Sequence, residues 1–299
     1  MDRLASMAAF VKTVERGSFA GAATALMISP QMVAKHIGYL EHRLGARLLN
    51  RTTRRQSLTE IGRTYYERCR VVLAEAEWAE AAGDGAKGAP RGRLRINAPV
   101  SFGSQALTPV VSRYLLAQPQ VQVELVLSDR YVDLVEDGFE AVFRIGRIRE
   151  SSLTAHALRP FRLVACASPA YVAENGFPAE PDDLKTHRCL GYLAGRGLLS
   201  EWRFDRKGQQ ISVSIASQFQ VNNAAALLSA ALDGFGVTLI AEDLARCALA
   251  DGRLVRVLPE YNPPSRSTTM LVHSDRRHTT KLQSFIDAVL KTLGPEADH

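Results

Sequence analysis

The 299-residue chain has little of what usually marks a secreted protein, a membrane protein or an enzyme. It has four cysteines, Cys69, Cys166, Cys189 and Cys247, far apart and without CxxC or Cys/His ligand spacing. That argues against a disulfide framework and a zinc site, and fits buried thiols in a reducing compartment. No apolar run is long enough to span a bilayer, and none of signal-peptide type stands near the start, so a soluble cytoplasmic protein with no membrane partner is expected. No segment repeats at a fixed period. The sequence also lacks a GxSxG elbow, an HExxH pair, a P-loop and a GxGxxG after the first strand. Ser101, Cys166 and Cys189 are the conceivable nucleophiles, and His156, His187 and His273 the conceivable bases, but nothing in the spacing links them. No catalytic residue, metal or cofactor is expected.

The informative stretch is residues 18–55, which read as two short helices around a four-residue break, followed by a basic ribbon. Ser18 is a plausible N-cap for a helix rich in alanine, the best helix former, through Ala20, Ala22, Ala23 and Ala25 to Leu26. After Met27-Ile28, Ser29 caps a second helix with Pro30 at its first position, where the missing N–H costs nothing. Val33, Ile37, Leu40 and Leu44 form one apolar stripe along it. At 100° per residue the opposite side carries Gln31, Lys35, Gly38 and His42, with Ala34 beside them. An amide, an ammonium and two small residues on one face suit a helix entering a major groove. A surface helix with ordinary polar residues is the bland alternative.

The next residues favour the groove. Residues 48–59 look like a hairpin with a polar tip. Between positions 31 and 70 there are nine Lys or Arg against three acids, a net of +6, equal to the formal charge of the whole chain. A basic footprint confined to a helix-turn-helix and its wing marks a duplex binder. The residues offered to DNA are Ser29, Pro30, Gln31, Met32, Ala34 and Lys35 on the second helix, with Arg51, Arg54 and Arg55 on the ribbon.

These segments carry a family resemblance. The run MDRLASMAAFVKTVERGSFAGAATAL, the reading helix and LEHRLGARLLNRTTRRQSLTEIG together resemble the LysR-type transcriptional regulators, whose winged helix-turn-helix contains SFxxAAxxL, LExxLGxxLxxRTTR and LTExG. The match covers nearly all of the first 65 residues and continues more loosely to the end. One departure is Ala34, where the family usually has serine, so a hydroxyl contact is missing from the reading face. The resemblance implies a two-lobed, periplasmic-binding-protein-like effector domain, binding to DNA as a homotetramer, and RNA polymerase as a candidate partner.

Elsewhere the periodicity sets the architecture. Leu4, Met7, Val11 and Val14, with Phe10 adjoining, mark a first helix stopped by Gly17. Residues 59–82 read as one helix of about 24 residues, roughly 36 Å long, with Ile61, Tyr65, Cys69, Val72, Leu73 and Ala76 on its apolar side. Such a helix must lie on its own domain or pair with a second copy; family members dimerise through it, and its alanine-rich seam suggests close packing of modest affinity. Residues 83–92 hold four glycines and a proline and form a linker. The expected domains are thus a winged helix-turn-helix at 1–58, a linker helix and hinge at 59–92, and an effector domain at 93–299 whose chain crosses between lobes near 164 and 267.

In that last region strands alternate with helices, which predicts an α/β fold with parallel sheets. Strands are expected at 94–98, 121–127, 141–145, 163–166, 219–221, 236–241 and 270–273, a hairpin at 202–215 turning at Lys207-Gly208, and helices at 104–117, 132–136, 224–232 and around 282–293. RLRINAPVSFG, DLVEDGFEAVFRIG, ASPAYVAENGFP and ALDGFGVTLIAEDLARCALADGRLVRVLP look like LysR-type effector-domain motifs. Ligands of open α/β sheets bind beyond the carboxyl ends of the strands. Those ends carry Ser101, Ser128, Arg144 and Asn222, the candidate effector-binding residues. Ser101 and Asn222 are expected near helix N-termini, which favour an anion such as a small carboxylate. Their bland alternatives are caps for Ser101 and Asn222 and a structural ion pair for Arg144. The rival functions are an enzyme, for which no constellation exists, and a sequence-indifferent architectural DNA protein, which would not need some 200 residues of sensor.

Overall fold

The computed structural model describes residues 1–51, 56–83, 88–134, 137–148, 153–194, 197–198, 200–273 and 279–295. The chain divides into two compact units, one of Met1–Gly88 with Asp133–Phe139 and one of Ala89–Val132 with Glu140–His299.

Local capping chemistry sets the helices of the first unit. Helix α1 (Arg3–Arg16) starts where Asp2 Oδ1 accepts the Ala5 N–H at 2.6 Å and stops at Gly17, whose φ of 70° is the left-handed turn glycine tolerates. Helix α2 (Phe19–Leu26) is capped by Ser18 Oγ on Gly21 N at 3.0 Å, and helix α3 (Pro30–Leu44) by Ser29 Oγ on Met32 N at 3.2 Å with Pro30 at its first turn. Strands β1 (Leu49–Arg51) and β2 (Gln56–Leu58) pair antiparallel with Leu49 opposite Leu58, and the long helix α4 (Glu60–Gly83) follows. Met7, Phe10, Val11, Ala22, Ala23, Val33, Ile37, Leu40, Leu48, Leu49 and Cys69 make one core, with Tyr65, Tyr66 and Leu73 of α4 packed against it. The expected stripes are shorter at their ends than the periodicity suggested: Leu4 and Leu44 are exposed. On α4, Tyr65, Cys69 and Leu73 face the core, whereas Ile61 and Val72 remain exposed.

The second unit has two lobes. The first holds β3 (Gly92–Ala98), a helical run made of α5 (Val100–Phe102), a π-turn at Gly103–Leu107 and α6 (Thr108–Ala117), then β4 (Val121–Leu127), β5 (Ala141–Ile145) and β6 (Leu153–Phe161). The second begins with β7 (Leu163–Ala167), α7 (Pro169–Asn175), a 3-10 turn at Pro181–Lys185, β8 (Cys189–Ala194) and β9 (Gly197–Leu198). It continues through the hairpin β10 (Glu201–Arg206) and β11 (Gln209–Ser214), then β12 (Phe219–Val221), α8 (Ala224–Leu232), β13 (Val237–Ala241), α9 (Glu242–Ala250) and β14 (Val255–Arg256). The chain then returns to the first lobe as β15 (Arg266–His273) and closes with α10 (Thr280–Leu293).

The sheet orders are β4-β3-β5-β15-β6 and β12-β8-β13-β7-β14. Neither is purely parallel, contrary to the strand–helix alternation. β15 runs antiparallel to β5 and β6, and β7 antiparallel to β13 and β14, because each of these strands enters its sheet at a crossover. The first lobe buries Leu94, Ile96, Ala98, Phe143 and Met270 of its sheet against Leu107, Val110, Phe285 and Val289. Tyr114 ties α6 to α10 with its hydroxyl donating to Lys281 O at 3.0 Å and an edge-on ring contact to Phe285. The second lobe carries apolar clusters on both sides of its sheet, one around Tyr171, Trp202 and Phe204 and one around Cys166, Leu227 and Ile240.

Two further expectations changed. Residues 132–134 are not helical, and residues 135 and 136 lie outside the described residues. The Val132 carbonyl, which a helix would use internally, accepts from Arg144 Nη2 at 2.7 Å instead. Cys69, Cys166 and Cys189 are buried and unpaired with one another, as free thiols, but Cys247 is exposed on α9.

Candidate functional site

The face of α3 opposite its apolar stripe is open. Gln31, Met32, Lys35 and His42 are exposed, as are Ser29 and Pro30 at the helix start; Ala34 and Gly38 are half-buried. A side chain built on Gly38 would meet nothing within 4 Å, so the backbone here is free to approach a duplex closely. Ser29 Oγ accepts from the helix, which leaves its own hydrogen to donate outward. On the buried side His36 Nδ1 lies 2.9 Å from Ser6 Oγ of α1, so the helix turn presents Lys35 outward while its neighbour is tied down.

The wing is fixed to this helix by residues whose role was not evident from spacing. Glu41 Oε1 accepts the N–H groups of Leu48 and Leu49 at 2.9 and 3.3 Å, holding the entrance of β1 against the end of α3. Thr59 closes the other side: its N–H and hydroxyl both reach Leu48 O, and its hydroxyl donates to Arg47 O at 2.7 Å while accepting from Gly62 N at 2.9 Å. A Cβ on Gly62 would stand 2.0 Å from Leu48 O, so only glycine lets α4 start this close to the wing. Arg51 ends β1; Arg54 and Arg55 lie outside the described residues.

In the effector domain, Ser101, Ser128 and Arg144 lie at the carboxyl ends of β3, β4 and β5, which are neighbours in one sheet. Asn222 follows β12 of the other sheet and is exposed. Neither cap alternative holds for Ser101 or Asn222: Ser101 is the second residue of its helix, and Asn223, not Asn222, caps α8 by accepting from Ala225 N and Ala226 N at 2.9 and 3.2 Å. Ser128 Oγ accepts from Arg130 N at 3.1 Å.

Arg144 is already engaged. Its Nη1 donates to Asn97 Oδ1 at 3.0 Å and Phe143 O at 3.1 Å, its Nη2 to Val132 O, and its guanidinium lies 5.3 Å from the Tyr131 ring centre. Burial lowers its pKa, an effect the tyrosine opposes. The arginine therefore pins the segment after β4 onto the sheet.

That segment presents Asp129. Its Oδ1 accepts the Val100 N–H at the start of the 100–117 helical run at 3.0 Å, and its Oδ2 accepts the Tyr192 hydroxyl from β8 of the other lobe at 2.9 Å. Burial, then the hydrogen bond to Asp129 and its charge, pushes the Tyr192 pKa up to about 12, so the phenol stays a donor at neutral pH. Arg159 of β6 and Asp243 of α9 also meet across the lobes, at 3.1 Å, beside the crossover at Arg162, whose carbonyl accepts from Glu242 N. Sequence periodicity marked Asp129 only as a strand end and missed Tyr192, because CLGYLA was not read as a strand. Among the described residues no cluster of three or more metal-ligating side chains occurs, and no helix is long and apolar enough to cross a membrane.

Comparison with known proteins agrees with both units. Residues 4–63 match the bacterial regulatory helix-turn-helix protein, lysR family, and residues 87–294 match the LysR substrate binding domain. The uncharacterised HTH-type transcriptional regulator YhjC of Escherichia coli is 35% identical over 94% of this chain and 94% of its own length. PtxR, an HTH-type transcriptional regulator of Pseudomonas aeruginosa, is 34% identical over 96% of this chain and 92% of its own. The full-length structure of the Vibrio cholerae virulence activator AphB superposes with a TM-score of 0.66 at 30% identity, covering 97% of this chain and 99% of AphB. CrgA of Neisseria meningitidis gives 0.64 at 30%, covering 97% and 98%. With its winged helix-turn-helix, its two-lobed second unit and these matches along nearly its whole length, the chain belongs to the LysR family of DNA-binding transcriptional regulators and is not an enzyme.

Proposed function

We propose that the chain works in the cytoplasm as a sequence-specific regulator that a small anionic metabolite controls. It binds a partly palindromic site as a dimer of dimers joined through α4, with RNA polymerase as a further partner. Gln31 and Lys35 read base edges, Ser29, Pro30, Met32 and Ala34 frame them, and Arg51, Arg54 and Arg55 approach the backbone or minor groove. The exposed Ile61 and Val72 on α4 support the pairing of that helix with a second copy. One observation carries the choice of an anion. The carboxylate of Asp129 rests on Val100 N–H and Tyr192 O–H, so the end of the first sheet already offers donors that a carboxylate accepts. Ser101 adjoins the donor Val100 in sequence, Ser128 adjoins Asp129, and Asn222 follows the strand paired with β8 at Tyr192.

The test begins with genome-wide mapping of bound DNA, because the neighbouring operon points to the metabolite. Ser101→Ala and Asn222→Ala are then compared with wild type in DNA-binding and transcription assays with that compound. Intact DNA binding without effector and a blunted response are expected. A full response in both variants would move the site elsewhere, and loss of effector-free binding would assign these residues a folding or assembly role.

A further inference from the structure

The Asp129–Tyr192 hydrogen bond joins side chains of two lobes whose other contacts described above, Arg159 with Asp243 and Glu242 N with Arg162 O, lie beside a crossover. Asp129 and Tyr192 adjoin neither crossover, so their bond restrains the lobes at a separate point. The geometry is built. Arg144 holds the backbone of Val132, Asp129 is seated on Val100 N, and Tyr192 lies opposite Val221 in the register of β8 and β12. We propose that Asp129 is a built-in stand-in for the effector's carboxylate, latching the lobes through Tyr192 until an external carboxylate replaces it there.

The inference rests on the two-lobed sensor reading above and goes beyond it by making effector binding an exchange. A ligand carboxylate takes the donors Tyr192 O–H and Val100 N–H, and Asp129 swings out to water. No charge is added to the site by the exchange, which matters because Arg144 already directs three of its five N–H groups to Asn97, Phe143 and Val132. The ligand shifts the lobes only by the difference between its own fit and that of the tethered carboxylate.

The latch is testable without knowing the effector. Full-length chain carrying Cys247→Ser, Arg113→Cys and Glu174→Cys is spin-labelled at the two introduced thiols, one on α6 and one on α7, and diluted with unlabelled chain. Cys69, Cys166 and Cys189 stay unlabelled, because burial covers them and pushes their thiols up to about 11, 12 and 12. Pulsed distance measurement should give one narrow interlobe population in this background. Tyr192→Phe, which removes only the hydroxyl, and Asp129→Ala should each raise the unlatched-to-latched ratio on the order of tenfold or more, the effect of losing a hydrogen bond to a charged group. The double variant should go no further than the larger single effect. Sodium acetate, against sodium chloride at equal ionic strength, should restore the narrow population in Asp129→Ala and leave Tyr192→Phe unchanged. Distributions in both single variants that superpose on the background would overturn the latch. A shift in both with no recovery in acetate would uphold the latch and reject the carboxylate reading of the site, so the two claims fail separately.

Discussion

Replacing Gly62 with alanine sets two effects of known sign against each other. Alanine is the better helix former, by about 1 kcal/mol over glycine inside a helix. Propensity alone therefore makes Gly62→Ala stabilising. The geometry says otherwise. The added Cβ would stand 2.0 Å from Leu48 O and 2.8 Å from Leu48 C, more than an ångström inside ordinary contact, and the obstacle is backbone. Leu48 is fully buried, and its N–H is held by Glu41, so the strand has no easy retreat. If α4 moves instead, the bonds from Thr59 N to Leu48 O and from Thr59 Oγ1 to Arg47 O are lost or stretched, at about 1 kcal/mol each. Overpacking a filled core costs about 1–3 kcal/mol. The net expectation is a winged domain destabilised by about 2 kcal/mol. Hydrogen exchange followed by mass spectrometry on peptides from residues 3–44 reads this domain separately from the sensor, and faster exchange of that size is expected. Unchanged or slower exchange would refute the close-approach argument, because only the propensity gain would then remain.

Other outcomes follow from the same residues. Glu41→Ala strips the acceptor from two strand-entrance N–H groups beside buried leucines, and should cost about 1–3 kcal/mol in the same exchange measurement; a neutral change would mean that water or another group satisfies them. Arg54→Ala with Arg55→Ala should weaken specific and non-specific DNA alike and lower the slope of log affinity against log salt by about 1–2 units per protomer; an unchanged slope would place these arginines away from the phosphates.

Much of the fold was legible because its signals are local. Ser18, Ser29 and Pro30 announce helix starts through chemistry within three residues, Gly17 a helix end, and Val33, Ile37 and Leu40 a buried face within one helix. The strands β6 and β8 were not legible for the opposite reason. LTAHALRPF and CLGYLA have neither strict alternation nor a uniform apolar run, and they are strands because β15 pairs with one while β12 and β13 flank the other. The direction of β15 and β7 within their sheets is likewise a property of the crossovers. On the candidate site, strand-end logic reached Ser101, Ser128, Arg144 and Asn222. It missed that Arg144 directs three N–H groups to Asn97, Phe143 and Val132 of its own lobe, and that Asp129 meets Tyr192, residues 63 apart in sequence. Such pairings depend on the whole topology. The motif glutamate at Glu41 and glycine at Gly62 were visible as letters, but their roles needed the position of Leu48.

Lys35 stands on the exposed face of α3 proposed above to read DNA sequence. Binding-site selection from a randomised duplex pool, run on wild type and on Lys35→Ala, yields both the preferred site and its affinity. Wild type should select a defined, partly palindromic motif. The variant should lose about 1–3 kcal/mol at that motif, together with a relaxed preference at the bases Lys35 faces. An identical motif and affinity in the variant would rule out base reading by Lys35.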